Sequence, residues 1–175
     1  NIYMEEHLPN IPVTIIVSIQ SFAITIGDDM SMALWDAHEN LEIINRRERI
    51  HDDYVTCAAV CEERRVFITC DEAGFCRIWS IDDENKTGRR RSSVIQVNDE
   101  KDQAANPIQS TRMPLLQVVE DMLIDHSSYG AISHVSYSKS SDCWIFASQD
   151  GYVRAWPVLT PTGNPIFSFC VLPCH

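Results

Sequence analysis

Short apolar runs alternate with polar turns along most of this chain. The stretch 11–26 divides into two such runs about a polar centre containing Ser18, Gln20 and Ser21. Others lie at 55–60, 74–79, 131–137, 143–148 and 152–156. They are rich in Val, Ile, Phe, Tyr and Thr, the residues that suit a pleated, half-buried surface. Asp150-Gly151 stands between two of them and predicts a hairpin, because a tight turn needs positive φ and glycine supplies it. Asp28-Asp29 and the stretch from Asp71 to Gly74 occupy equivalent places. Helical periodicity is present only weakly, over 115–123. The pattern predicts an all-β chain.

The runs are organised as an internal repeat, which sets the architecture before any local motif does. Three copies start at a histidine and close on a tryptophan: His7 to Trp35, His51 to Trp79 and His126 to Trp156, with separations of 28, 28 and 30. The first two align without a gap. His7 falls on His51, Ile11 on Val55, Ile24 on Ile68, Thr25 on Thr69 and Trp35 on Trp79. The third needs a longer loop, 127–130. A fourth strand is expected after each tryptophan, at 41–44, 114–119 and 165–170. The second is delayed by the polar stretch 82–112, which predicts a long surface insertion with too little apolar content to offset the entropy of ordering.

This pattern resembles the WD-repeat (WD40) family, whose repeats form four-stranded antiparallel blades of a β-propeller. The resemblance implies blades over about 7–46, 51–120 (with the insertion 82–112) and 126–170. Three blades do not close a ring. Residues 1–4 look like the outer strand of a preceding blade, and Cys174-His175 stand where another histidine is due. The expectation is therefore part of a larger propeller, completed by further blades. In the family, His, Ser/Thr, Asp and Trp form a hydrogen-bonded chain inside each blade, which satisfies buried polar groups. By match to that motif, the first copy offers His7, Thr25, Asp29 and Trp35. The third offers His126, Ser148, Asp150 and Trp156, with His126 bonding Asp150 and Trp156 bonding Ser148. The second offers His51, Thr69, Asp71 and Trp79. It departs from the pattern, because Asp29 and Asp150 stand six residues before their tryptophan and Asp71 stands eight before, with Ala73 in the usual place. Either Asp71 still reaches His51, or this chain is incomplete. In the first copy Met30 and Ser31 replace the turn glycine.

Composition narrows the function. The net charge of −11 over 175 residues opposes non-specific nucleic-acid binding, which needs clustered Lys and Arg. No apolar run is long enough to span a bilayer, so no membrane segment is expected. Seven cysteines, odd in number and irregular in spacing, several of them inside strands, predict reduced core residues. They point to an intracellular compartment, cytoplasmic or cytoskeletal.

Candidate chemistry is sparse. His, Asp and Ser/Thr also compose a hydrolase triad, but a catalytic site occurs once and this set recurs at the repeat spacing. No phosphate loop or metalloprotease helix motif is present. Cys57 and Cys61 lie about 13 Å apart along one strand, and neither they nor Cys170/Cys174 have distinctive metal spacing. Trp144 is expected in the core. Arg89, Arg90 and Arg91 precede Ser92 and Ser93, making those serines candidate phosphorylation sites. No catalytic residue, metal or cofactor is predicted. The resemblance implies a non-catalytic scaffold binding protein partners, with a regulatory subunit of an enzyme complex as the alternative. The turn from Asp71 to Trp79 is also similar to those of large WD-repeat proteins of cilia and flagella, which implies a structural role in a ciliary assembly.

Overall fold

In a computed structural model, twelve strands among the described residues form three separate four-stranded sheets, each an antiparallel meander in chain order. The structure describes residues 11–38, 41–83 and 116–171. His7, residues 1–4, the arginines at 89–91, Ser92, Ser93 and Cys174-His175 lie outside them. The first sheet holds β1 (Val13–Ile19), β2 (Phe22–Gly27), β3 (Met32–Asp36) and β4 (Ile43–Arg47). The second holds β5 (Val55–Cys61), β6 (Val66–Asp71), β7 (Phe75–Asp83) and β8 (Leu116–Asp125). The third holds β9 (Ile132–Ser138), β10 (Cys143–Ser148), β11 (Tyr152–Pro157) and β12 (Phe167–Cys170). Among the described residues the only helical segments are single 3₁₀ turns, Glu62–Arg64 and Ser127–Tyr129. No described helix is long and apolar enough to cross a membrane.

Four boundaries differ from expectation. β4 runs two residues later than 41–44, because Leu41 takes a left-handed φ of 55° that ends the preceding turn. β7 continues through Asp83, into the start of the expected insertion, and β8 extends to Asp125. The weak helical period over 115–123 is overridden by pairing of β8 along the whole of β7. β12 is shorter than 165–170, since Gly163 at φ 76° turns the chain before it.

The three sheets stack face to face, with β5 packed between β1 and β9. Strand alternation sends neighbouring residues to opposite faces. In the second sheet, Phe67, Trp79, Ile81 and Val118 pack against Ile24, Ile26, Met32 and Leu34 of the first. Their neighbours Ile68, Cys70, Cys76 and Ile78 pack against Val135, Trp144, Phe146 and Trp156 of the third. The second sheet is thus covered on both faces. Trp79 and Trp156 both point toward the preceding sheet and are fully buried. Trp35 holds the same place in a sheet with nothing before it among the described residues. It is only half-buried and shares an open groove with Val13, Thr25 and Ile43.

The turns that matter for the site lie at one end. Gly74 and Gly151 take φ of 90° and 82°, and Met30 takes 62° where those copies have glycine. A longer polar loop docks on the first two of these turns in chain order: Ile50 N–H donates to Met30 O at 2.8 Å and His126 N–H to Gly74 O at 3.0 Å. At the other end Arg64 pairs with Asp142, and Lys139 with Glu63 at 2.5 Å, tying the second sheet to the third.

Candidate functional site

The second copy carries a complete polar chain. Trp79 Nε1–H donates to Thr69 Oγ1 at 2.9 Å, His51 Nε2 lies 2.7 Å from the same oxygen, and His51 Nδ1 lies 2.8 Å from Asp71 Oδ2. Indole N–H can only donate, so Thr69 Oγ1 accepts it and offers its own hydrogen to His51 Nε2. Nδ1 then carries the proton toward the carboxylate. All four side chains are buried. Asp71 also accepts from Phe75 N–H at 2.8 Å, which fixes the turn. The different spacing of Asp71 therefore leaves the chain intact. It stands at the end of β6, directly in line with His51.

Among the described residues, the first copy shows one link of the chain. Trp35 Nε1–H donates to Thr25 Oγ1 at 2.8 Å. Asp29 is exposed, and the Ser31 hydroxyl, with Ser31 N–H donating at 3.0 Å, holds its carboxyl below the ordinary range. Arg46 approaches it at 3.9 Å.

The third copy is wired differently, and two expected bonds are absent. His126 does not bond Asp150, and Trp156 does not bond Ser148. The cause is register. Thr25 and Thr69 stand ten residues before their tryptophan, and the residue ten before Trp156 is Phe146. Phe146 pairs with Arg154 across the hairpin just as Thr69 pairs with Arg77. A phenyl ring thus occupies the hydroxyl's place, and Ser148 lies one pleat further toward the turn. Trp156 Nε1–H turns to the Gly163 carbonyl at 3.1 Å. His126 stacks on Trp156 with ring centroids 4.2 Å apart and meets the edge of Phe146 at 5.2 Å. Neither of its ring nitrogens makes a hydrogen bond. Burial pushes its pKa below the usual imidazole range, with the Arg154 guanidinium acting the same way and the Asp125 carboxylate opposing.

Arg154 takes over the polar role. Its guanidinium donates to Ser148 Oγ at 2.8 Å and to both oxygens of Asp150, at 3.0 and 2.5 Å. It lies over Tyr129 at 4.0 Å and Tyr152 at 4.7 Å. This fork-and-stack geometry is specific to arginine. It holds Asp150 at about 2. Sequence matching missed this residue. Its signals were an arginine two before the tryptophan in both the second and third copies, and an aspartate four residues ahead of Arg154. Trp144 is buried, as expected of a core residue, with its Nε1–H unpaired.

The polar groups of the second copy are turned inward and bonded to each other. Outside them, the hairpin turns and docking loops gather into one broad end. It exposes Asp28, Asp52, Glu72 and Asp125 beside the large side chains of Tyr54 and Leu123. Among the described residues no group of three or more His, Cys, Asp or Glu is arranged to hold a metal ion.

No family model matches the sequence, and no curated protein matches it. Solved structures do. One described as the structure of U3-55K superposes with a TM-score of 0.61 at 14% identity, over 92% of this chain and 40% of that one. One described as the crystal structure of RRP9 WD40 repeats gives a TM-score of 0.61 at 14% identity, over 92% and 39%. The three sheets therefore have the fold of WD40 propeller blades. The chain spans about two fifths of the length of each of these structures.

Proposed function

We propose that the chain is a non-catalytic interaction scaffold that holds protein partners on the broad end formed by its hairpin turns and docking loops. One observation carries this reading: the chain of His51, Thr69, Asp71 and Trp79 and the cluster of Ser148, Asp150 and Arg154 are bonded within their own blades, so the loop end is the surface offered for binding. Loops on a rigid sheet scaffold are the usual carriers of binding residues. The acidic residues of this end, with Tyr54 at 56% and Leu123 at 49% exposure, suit a basic surface on the partner that also offers apolar contact. Further blades from the rest of the protein cover the open face of the first sheet. The half-buried Trp35 supports this, as does the coverage of only part of each similar structure. An intracellular, reducing setting belongs to the same proposal, and the six described cysteines are all free.

The test is partner capture by the full protein and by a variant carrying Asp52→Lys, Asp53→Lys and Tyr54→Ala. The expected result is loss of partners with unchanged melting, while Glu62→Lys at the opposite end keeps them. Full retention of partners by the triple variant would remove the loop end as the binding surface.

A further inference from the structure

The second sheet carries three thiols in one row. Cys57 on β5 lies opposite Cys70 on β6, and Cys70 lies opposite Cys76 on β7. The Sγ atoms of Cys70 and Cys76 are 2.7 Å apart. Both residues are fully buried against the third sheet. We propose that Cys70 and Cys76 are an oxidisable dithiol that closes to a cross-strand disulfide when a peroxide reaches it.

The geometry supports the pairing. Directly opposed residues on antiparallel strands have Cα atoms about 4.5–5.5 Å apart, inside the range of about 4.4–6.8 Å that a disulfide spans. The register of β6 and β7 runs without a shift through Cys70 and Cys76. The two sulfurs need only approach from 2.7 Å to a bond length of about 2.05 Å. Cys57 is the rival partner for Cys70. A register shift lies beside it on β5, and its Sγ is shared with the Ile132 carbonyl of the third sheet at 3.7 Å. The hydrogen bond from Cys70 lowers its pKa, so it is the more acidic thiol but the less well placed.

The chemistry balances with hydrogen peroxide as oxidant. One thiolate attacks peroxide oxygen, the O–O bond breaks, and a sulfenic acid and hydroxide form. The second sulfur then displaces the sulfenic oxygen. One S–S bond has formed, the thiols have lost two electrons and two protons, and two waters have been made. Burial pushes the Cys70 thiol well above its ordinary value, so reaction follows transient opening of the contact between the second and third sheets. The dithiol thereby reports on separation of two neighbouring blades.

Trypsin separates the candidates cleanly. Cys70 and Cys76 fall in one peptide, 66–77, and Cys57 falls in another, 50–64. The full native protein is treated with hydrogen peroxide, alkylated with N-ethylmaleimide under denaturing conditions, and digested without reductant. Peptide 66–77 is expected two hydrogens lighter, unlabelled, and restored to double labelling by prior dithiothreitol. Cys57→Ser is expected to leave this product in place. Double labelling of 66–77 after peroxide overturns the proposal, and so does a cross-link joining 50–64 to 66–77.

Discussion

Thr69 is the residue on which the buried polar chain of the second sheet turns. Its hydroxyl accepts from Trp79 at 2.9 Å and meets His51 Nε2 at 2.7 Å. Thr69→Val keeps the shape and the β-branch but deletes the hydroxyl. The indole N–H and the imidazole nitrogen are then left buried without partners, since both side chains are about 1% exposed. Each unsatisfied group costs about 1–3 kcal/mol. The two belong to one network and relax together, so the combined cost is expected at roughly 2–4 kcal/mol. The comparator is Ser148→Ala. Ser148 hydrogen-bonds neither Trp156 nor His126, and Asp150 and Arg154 keep each other when it is lost. Its hydroxyl donates to Asp150 at 2.7 Å and accepts from Arg154 at 2.8 Å, but neither partner is left unpaired, so the cost is expected at about 1–1.5 kcal/mol, below that at Thr69. Urea unfolding of the full protein, with unchanged slope, gives both values. Equal losses at Thr69 and Ser148 would refute the contrast between a wired second blade and a rewired third one.

Three more outcomes follow from particular contacts. His126 has a folded pKa below its ordinary value of 6.5, so the unfolded state binds more protons in acid. Its stability contribution is full above that value and declines as pH falls below it; His126→Phe, which retains the stack on Trp156, should flatten the stability profile there, and an unchanged profile counts against the buried neutral ring. Asp150, held at about 2, contributes above the ordinary carboxylate value and loses that contribution as pH falls through its lowered one; in Arg154→Met, a carbon-detected NMR titration should place its carboxyl back toward the ordinary range, and a value still near 2 would remove the arginine as cause. Gly74→Ala combines a φ of 90° with a Cβ that meets the Gly130 carbonyl and Ser127 Cα, both at 2.8 Å. The conformational penalty alone is about 1–2 kcal/mol, so a larger loss in melting is expected, and a neutral result would mean that the loop at 127–130 does not dock on this turn.

The hairpins were legible because a period of two, punctuated by Asp and Gly, leaves little alternative. The second polar chain was legible because His51, Thr69 and Trp79 sit at fixed places in that period. The third was misread because Ser148 was matched by residue type. Counting back along the strands places Phe146 at the hydroxyl position, and an aromatic ring there excludes the bond. Arg154 escaped notice because arginine usually reads as a solvated charge. Only the folded chain brings Tyr129 and Tyr152 to its two sides. β4 was displaced because its later residues, Asn45, Arg46 and Arg47, are polar and carry no alternating signal. The packing of Trp79 and Trp156 against the preceding sheets is a tertiary fact that no local window contains.

That packing gives the most direct test of a chain built from propeller blades and seated among further ones. Residue-resolved hydroxyl-radical footprinting of the native protein measures how far water reaches each indole. Trp79 and Trp156 are covered by the sheet before them. If further blades complete the array, Trp35 is protected to the same degree, because its place in the repeat is the same. Rapid oxidation of Trp35, with Trp79 and Trp156 shielded, would show the first sheet open to solvent and contradict the account.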